Sequence, residues 1–583
     1  MVCRCRGTGW GFALTGGQDA DSLAGGLVEV EFRMRKCLWV CVYANALVIL
    51  ALSVYVFVLP AGTVMRGLHD PGLDGSAVPR RVWRWHRALS PRYAEWARRR
   101  VASGIAGRLT TSDIAGTEWP LFGSVFYLWA TESLQQAFEQ NPRLAPSAPK
   151  DYARDAIAAA TALVADPNHA GWVRQHWGDK YLETENLFYR MLVISALTSH
   201  QKLLGDAKYE DLLRSQVESL AAELDASPFG LLDDYPGQCY PVDIVPAVAA
   251  IRRADAVLGT DHSAFVARAI RGFQDTRLDV HTGLPAYVVS SRTGQALDSA
   301  RGVGLSFMLI WAPQIWPETA RLWYDKYEGR FWQRGRWLAG FREYPRGIEV
   351  GWFAMNDVDA GPVVAGFGVA ASAFGAGATR AMGDTDRAYA LGAEAMLAAW
   401  PLPDGTLLVP RMLSIFSDAP YLGEAATLFA LTRRPLMPVR REAPPSVPWI
   451  VYAGVLAFLV VGSGEIAASL WGVRRWRRNA TRRNVPLPSL QFAVWLALIL
   501  AAIVTWITFA AWLGLVLLLA AQMLPRSIRR HDVETEASSR RPPIEGHPRR
   551  GGRLIAVAVA SLASRASGPL ALPSRCCKAT CVR

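Results

Sequence analysis

Three long apolar runs limit what this chain can fold into more than any other feature. They are residues 38–59, 449–471 and 490–524, and each is long enough to cross a bilayer core, which takes about 20 apolar residues in a helix. The third run exceeds the length of one span, and we interpret it as a hairpin of two spans that turns near Gly514. The chain is therefore expected to be an integral membrane protein with three or four spans.

Basic residues predict the orientation of these spans, because the cytoplasmic ends of membrane helices carry the excess of Lys and Arg. Arg33, Arg35 and Lys36 precede the first run, and a cluster of arginines follows the second run between residues 474 and 483. Both flanks are thus predicted to be cytoplasmic. We expect a multi-pass protein of the bacterial plasma (inner) membrane with residues 61–440 forming a large extracytoplasmic domain.

The formal net charge of +13 would suit a nucleic-acid partner if the charge lay on one folded domain. Most of the surplus lies instead at the ends of the apolar runs, so no nucleic-acid partner is predicted. Residues 1–33 and 532–583 lack the apolar pattern of a packed domain. We expect both segments to be disordered.

The apolar residues of 61–440 recur with a helical period in segments broken by Gly, Pro, Asn and Asp. About eleven helices joined by alternating short and long connections favour an all-α domain of helical hairpins arranged in a ring. This is the (α/α)6 barrel, whose active site lies at the mouth of the ring. Periodicity alone leaves an α-solenoid open. Cys239 is the single cysteine of this region, so its stability must come from packing without a disulfide.

Several motifs resemble the linalool dehydratase/isomerase family. They are Tyr-Leu-Glu-Thr-Glu-Asn-Leu-Phe-Tyr at 181–189, Ala-Ser-Pro-Phe-Gly at 226–230, Asp-Val-His-Thr-Gly at 279–283 and Asp-Val-Asp-Ala-Gly-Pro-Val at 357–363. The resemblance covers residues 119–400. It implies an (α/α)6 barrel and a lyase or isomerase acting on an alcohol.

The resemblance also implies where the reacting groups lie. The two cysteines that act in the family would fall on Asp233 or Asp234 and on Asp243, and the family's histidine would fall on Leu192. This chain therefore carries acids where the family carries cysteines. Paired carboxylates can divide the work of an acid and a base, which suits the loss or addition of water, or the cleavage or epimerisation of a sugar.

Each of these acids also has a purely structural interpretation. Asp233 and Asp234 could cap the loop that follows Gly230, and Asp243 could be the N-cap of a helix that begins near Ile244. Glu185 is a further catalytic candidate at the start of a predicted inner helix, although a place in the first turn of that helix explains it equally well.

Asp357 and Asp359 form the last acidic candidate, since Gly361 and Pro362 would fix the backbone from which they project. The alternative is a helix start, with Asp359 as N-cap and Pro362 in the first turn.

Aromatic residues and histidines near these acids are predicted to bind substrate, because rings stack on sugars, enclose hydrocarbons and stabilise cations. The candidates are Tyr189, His176, Trp177, Tyr240 and Tyr287. Most aromatic side chains of such a domain serve the core, and a lone histidine more often satisfies a local hydrogen bond.

Two functions of different class fit the sequence. The first is a membrane-anchored lyase or isomerase of hydro-lyase type, or a glycan-active enzyme, acting on a small-molecule or lipid-linked substrate. The second is a non-catalytic module that binds or assembles part of the cell envelope. No dinucleotide fingerprint, Walker motif, nucleophile elbow or zinc motif is present, so neither a cofactor nor a metal is predicted.

Overall fold

The computed structural model describes residues 39–40, 42–273, 278–355, 359–415, 417–441, 446–480 and 497–505, together with Gly514, Leu517 and Ala521. It is 68% helical with few strands, which confirms a mostly helical protein. The chain forms two compact units, Met1–Arg477 and Arg478–Arg583. In the second unit residues 497–505 are helical. The rest of the predicted hairpin at 490–524, apart from those three single residues, and the segments 1–33 and 532–583 lie outside the described residues.

The helices between residues 42 and 480 are numbered in chain order. They are α1 Val42–Gly67, α2 Arg80–Ser103, α3 Ile114–Gln140, α4 Pro149–Tyr152, α5 Arg154–Val164, α6 Gly171–Trp177, α7 Leu187–Leu204, α8 Glu210–Ala226, α9 Pro241–Leu258, α10 Ser263–Ala269, α11 Gly302–Ile315, α12 Pro317–Phe331, α13 Val369–Ala381, α14 Thr385–Ala398, α15 Leu408–Ser414, α16 Leu422–Thr432 and α17 Trp449–Ala480.

Six helices make a closed cycle of contacts. In order around the cycle they are α3, α7, α9, α11, α13 and α16, and α16 packs back against α3. These inner helices are apolar on nearly all sides, as α11 shows with all but its last two residues buried. The outer helices α2, α5, α8, α10, α12 and α14 each pack against one or two of them. They bury a single stripe, as expected for helices with one face in water.

The six inner helices form a ring, and they all begin at the same end of that ring. Phe122 of α3 contacts both Phe188 of α7 and Phe307 of α11, with 5.7 Å between ring centroids in each case. Phe374 of α13 lies 5.4 Å from Phe307, and the first residue of α16, Leu422, packs on α3 beside Phe122. Every one of these residues belongs to the first turns of its own helix. We call this end the N-terminal end of the ring.

Five short strands lie between α12 and α13 in the part of this segment that the structure describes. β1 (Trp332–Arg334) pairs with β2 (Ala339–Phe341), and β3 (Phe353–Met355), β4 (Pro362–Val364) and β5 (Phe367–Gly368) form an antiparallel sheet. The alternative prediction of a helix start at Asp359 is therefore wrong, because α13 begins only at Val369. Pro362 is the first residue of a strand, where its missing N–H is tolerated, and the β-branched valines that follow favour extended backbone.

Within the described residues, two helices, Val42–Gly67 and Trp449–Arg474, are long and apolar enough to cross a membrane. They pack on each other in antiparallel fashion, since Gly462 lies against Phe57 and the Ser469 hydroxyl donates to the Ala46 carbonyl at 3.4 Å. The first helix continues beyond the predicted end of the span at residue 59. It passes through Pro60 after a π-helical turn at Val54–Val58, an irregularity that accommodates a residue without an N–H.

Candidate active site

Four carboxylates meet at the N-terminal end of the ring. Asp243 lies in the first turn of α9 and Asp234 in the loop before it, whereas Glu118 lies near the start of α3 and Asp359 in the turn before β4. The charges of Asp359 and Glu118 act on Asp243, and the charge of Asp243 acts on Asp234. We call these four residues the acidic cluster, because they share one electrostatic site.

Asp243 interacts electrostatically with each of the other three members of the cluster. Burial, followed by the charges of Asp359 and Glu118, raises the pKa of its carboxyl to about 8. Its accessible surface is intermediate, but the protein packed around the carboxyl outweighs this residual exposure. The environment also overcomes the helix dipole, which favours a carboxylate in a first turn. The N-cap interpretation is wrong, because α9 begins at Pro241, Tyr240 is its N-cap, and no side chain caps it.

Asp234 is 1% exposed. Burial, and then the charge of Asp243, raise the pKa of Asp234 well above its ordinary range. The backbone N–H groups of Tyr240 and Phe188 oppose this rise, and the first of them donates to Oδ2 at 2.9 Å. Two carboxyls that repel each other's charge in this way titrate together.

Glu118 and its partner Tyr235 are members of the site that sequence reasoning missed. Burial raises the pKa of Glu118 to about 7, a hydrogen bond from the Tyr235 hydroxyl counteracts part of this rise, and the charge of Asp359 adds to it. The sequence does contain a signal, since Glu118 is the one charged residue between Asp113 and Glu132. A lone carboxylate in an apolar helix is costly to bury unless it has a role.

Removing the Tyr235 hydroxyl tests this hydrogen bond. We expect Tyr235→Phe to raise the pKa of Glu118 further, because the variant loses a donor that favours the ionised form. Infrared titration should then show the protonated-carboxyl band persisting to higher pH than in the wild type. Tyr240→Phe is the matched control, since that hydroxyl bonds to Gln238 at 3.2 Å. Equal shifts in both variants would show that the Tyr235 hydroxyl is not specific to the cluster.

Aromatic rings line one side of the acidic cluster. The Tyr235 ring lies 6.0 Å from Trp172, 6.1 Å from His176 and 6.4 Å from Tyr240, and Tyr240 lies 5.3 Å from Tyr287. Among the predicted substrate-binding residues, the structure thus brings His176, Tyr240 and Tyr287 to the site.

A second set of aromatic side chains lies further inside the ring of helices than the carboxylates do. Phe122 lies one turn after Glu118 on α3, and the backbone N–H of Phe188 faces Asp234. Together with Phe307 and Phe374, these residues form a contiguous aromatic floor. The site therefore combines acids with an apolar surface, a pairing that suits a hydrocarbon carrying a hydroxyl group.

Asp359 reaches the cluster from the β3–β4 connection. The Tyr287 hydroxyl donates to its Oδ2 at 3.3 Å, and Tyr287 in turn stacks under the Arg301 guanidinium, whose carbon lies 4.8 Å from the ring centroid. The companion candidate, Asp357, lies outside the described residues.

Glu185 and Asp233 hold the loops around the cluster. The Glu185 carboxylate accepts a hydrogen bond from the Asp233 N–H at 2.5 Å, and Asp233 Oδ2 accepts one from the Gly237 N–H at 2.7 Å. Glu185 also adopts a strained left-handed conformation with φ of 46°. Burial, opposed by the hydrogen bond from Asp233, raises its pKa. These contacts place Glu185 and Asp233 in the loops that support the acidic cluster.

Tyr189 and Trp177, two of the predicted substrate-binding residues, lie apart from the acidic cluster. Tyr189 is 3% exposed and packs against Trp172 and Tyr181, and its charged neighbours are Asp166 and Arg174. Trp177 is the half-buried last residue of α6. Within the described part of the chain, neither contacts the acidic cluster.

No group of three or more His, Cys, Asp or Glu side chains is arranged to hold a metal ion among the residues that the structure describes. No family model matches the chain, and no curated protein is similar to it at a significant level. The resemblance to the linalool dehydratase/isomerase family thus rests on the motifs between residues 181 and 363.

Proposed function

We propose that this protein is a membrane-anchored enzyme of the linalool dehydratase/isomerase type, which uses carboxylates in place of cysteines to add or remove water at an alcohol. The observation that carries this proposal is the acidic cluster, in which burial and mutual repulsion raise the pKa of Asp243 to about 8 and that of Glu118 to about 7. Groups with such pKa values exchange protons efficiently near neutral pH.

An (α/α)6 barrel is the fold we propose for the catalytic domain. The closed cycle of six inner helices, each packed against outer helices, supports this arrangement. In an α-solenoid the first and last helices would not meet, whereas α16 packs against α3 here. The acids also lie where the inner helices begin, as expected for the mouth of such a barrel.

The dehydration would proceed in two proton transfers. Protonated Asp243 donates its proton to the hydroxyl oxygen, the carbon–oxygen bond breaks with its electron pair leaving on water, and a carbocation forms. Ionised Glu118 then removes a proton from the neighbouring carbon, and the electrons of that carbon–hydrogen bond form the alkene. The reverse sequence hydrates an alkene. The rings of the aromatic floor stabilise the intermediate charge, and they favour a terpenoid alcohol over a sugar.

The anchoring supports an extracytoplasmic position for the barrel in the plasma membrane. Because α1 and α17 pack antiparallel, the Val42 end of α1 lies beside the Arg474 end of α17. The ends of α1 and α17 that lead to the two basic flanks are therefore side by side, which supports a common cytoplasmic side for both flanks and the opposite side for the barrel.

A non-catalytic binding module is the second candidate. One observation favours it: the position that matches the family's histidine is Leu192, which is fully buried in α7. A module of this kind would keep the ring and the aromatic floor without turnover.

The deciding experiment is mass spectrometry of small molecules that co-purify with the full-length protein, compared between the wild type and Asp243→Asn. A terpenoid or polyprenol alcohol enriched with the variant supports the enzyme, because the variant binds substrate without consuming it. A glycan or glycolipid would indicate sugar chemistry. An identical molecule retained equally by both proteins, with no product formed, would favour the binding module.

Turnover of the identified alcohol provides the kinetic prediction. Loss of a general acid typically lowers the rate by about 10²- to 10⁴-fold, and we expect that loss for Asp243→Asn with little change in substrate affinity. Asp225→Asn is the control, since Asp225 forms an exposed pair with Arg268 at 2.7 Å on an outer helix. An Asp243→Asn variant with wild-type turnover would remove Asp243 from the mechanism.

A further inference from the structure

The two candidate membrane helices leave the ring at the same end as the acidic cluster. The outer helix α14 follows inner helix α13 after a tight turn and runs antiparallel to it, so α14 ends near the N-terminal end of the ring. Leu397 of α14 packs against Gly454 of α17, and Trp400 packs against Phe458 four residues further on, with 4.4 Å between ring centroids. The helix α17 therefore runs parallel to α14 and continues past its end.

The first candidate membrane helix, α1, also packs on α14 but runs in the opposite direction to α17. Gly67 of α1 packs against Met396 of α14, and the Trp400 indole N–H donates to the Val56 carbonyl at 2.6 Å. From Val56 to Gly67, α1 buries one side against the ring, whereas from Val42 to Ser53 most of its residues are accessible. A bilayer around α1 would begin near Ser53, directly beyond Trp400 and level with the N-terminal end of the ring.

The loops at that end expose large apolar side chains. Trp352 is 77% exposed, Leu413 76% and Met355 68%, and all three lie in connections that lead into inner helices. Towards the opposite end Leu322 is 63% exposed, and Leu144, Leu436 and Val439 are exposed by at most 57%. Isolated exposed apolar residues are ordinary, but a set on one face marks an interaction surface.

The strand β3 and its connection to β4 link this surface to the site. Phe353 and Met355 are exposed on β3, next to Trp352, and the connection that follows β3 carries Asp359 to the acidic cluster. Tryptophan at such a position is typical of the membrane interface, where an apolar ring and a polar N–H are both satisfied.

We propose that the N-terminal end of the ring faces the membrane that holds α1 and α17, with β3 in the interfacial layer, so that the acidic cluster receives the hydroxyl end of a lipid-like alcohol directly from the bilayer. The membrane contact rests on the two helices being membrane spans, and the chemistry rests on the proposed function. The apolar tail of the substrate would stay among the lipids or on the aromatic floor while its hydroxyl meets Asp243.

A depth measurement tests the membrane contact without any assay of activity. In the full-length protein every native cysteine except buried Cys239 is replaced by serine. An environment-sensitive fluorophore is attached to the new cysteine of Met355→Cys, and the labelled protein is reconstituted in vesicles of phosphatidylcholine and phosphatidylglycerol. Leu436→Cys is the control at the opposite end of the ring. We expect spin-labelled lipids to quench the label at 355 several-fold more than the label at 436. Equal quenching at both positions would overturn the proposal, provided both proteins melt like their parent.

A kinetic measurement separates this inference from the proposed function. In the double variant Trp352→Ser with Phe353→Ser we expect KM for a long-chain polyprenol held in vesicles to rise several-fold while kcat stays constant. A short, water-soluble prenyl alcohol should be turned over as by the wild type. Loss of turnover on both substrates, or no change on either, would contradict delivery from the bilayer. Inactivity of the wild type on every alcohol would instead contradict the proposed function and leave the depth result standing.

Discussion

Replacing Asp243 with asparagine is expected to make the protein more stable at neutral and alkaline pH, even though it removes the group on which the proposed chemistry depends. The pKa of Asp243 is raised from its ordinary value of 3.8 to about 8, so the folded state resists ionisation that the unfolded chain accepts. Ionising Asp243 beside Asp359 and Glu118 costs folding free energy. An amide of the same shape avoids this cost.

The sign of the stability difference between the wild type and Asp243→Asn follows from the pH dependence. Below about pH 4 the carboxyl is protonated in both states, and wild type and variant differ little. Between pH 4 and 8 the unfolded state loses its proton while the folded state keeps it, so the wild type loses stability and the variant does not. At about 1.4 kcal/mol per pH unit the difference is at most about 6 kcal/mol. Because the carboxyl keeps some accessible surface, we expect about 2–3 kcal/mol above pH 8.

Thermal unfolding of both proteins between pH 4 and 9 measures this difference. Asp255→Asn is a control on the same helix with the opposite sign. Burial alone would raise the pKa of Asp255, but hydrogen bonds from His262 and Thr260 outweigh it, and the pKa is lowered. That variant should melt below the wild type. A melting temperature of Asp243→Asn that is below that of the wild type at pH 8 would contradict the account of the acidic cluster.

Only part of the acidic cluster could be predicted from the sequence. The motif resemblance predicts Asp243 and either Asp233 or Asp234 as reacting groups, and the structure links Asp234 with Asp243 electrostatically. Glu118 lies 116 residues before Asp234 along the chain, and nothing local reveals that α3 and α9 begin at the same end of a ring. Contacts of this kind are set by how helices close into a cycle, which the apolar period of each helix does not determine.

The strands also show that neighbouring residues alone do not determine the local structure. Pro362 after Gly361 fits a helix start as well as a strand start when only neighbours are considered. The pairing of β4 with both β3 and β5 decides between them, and it places Asp359 in a turn that reaches the cluster. By contrast, the helical character of the domain and two of the apolar runs were predictable, because both depend on composition and periodicity within one segment.

The second large effect concerns Glu132, a carboxylate whose environment is the reverse of that of Asp243. It is 4% exposed in the middle of α3, and it joins α3 to α7 and α9 through Lys202 at 2.9 Å, the Ser199 hydroxyl at 3.0 Å and the Arg253 guanidinium. Burial alone would raise the pKa of Glu132, but Arg253 and Lys202 outweigh it and lower the pKa to about 2.

We expect Glu132→Gln to destabilise the protein by about 3–5 kcal/mol, because it leaves two cations in the interior without their counter-charge. This stabilisation is fully present above about pH 4.5, the ordinary pKa of glutamate, and is lost as the pH falls towards 2. The difference in melting temperature between wild type and variant should therefore be largest near neutral pH and shrink under acid. Glu139→Gln is the control, since the exposed Glu139 on the same helix accepts a hydrogen bond from Gln135 alone among the described residues and should change stability by about 0.5 kcal/mol or less. If both variants melted alike, the three inner helices would not depend on this ion network, and their cohesion would have to come from the aromatic core alone.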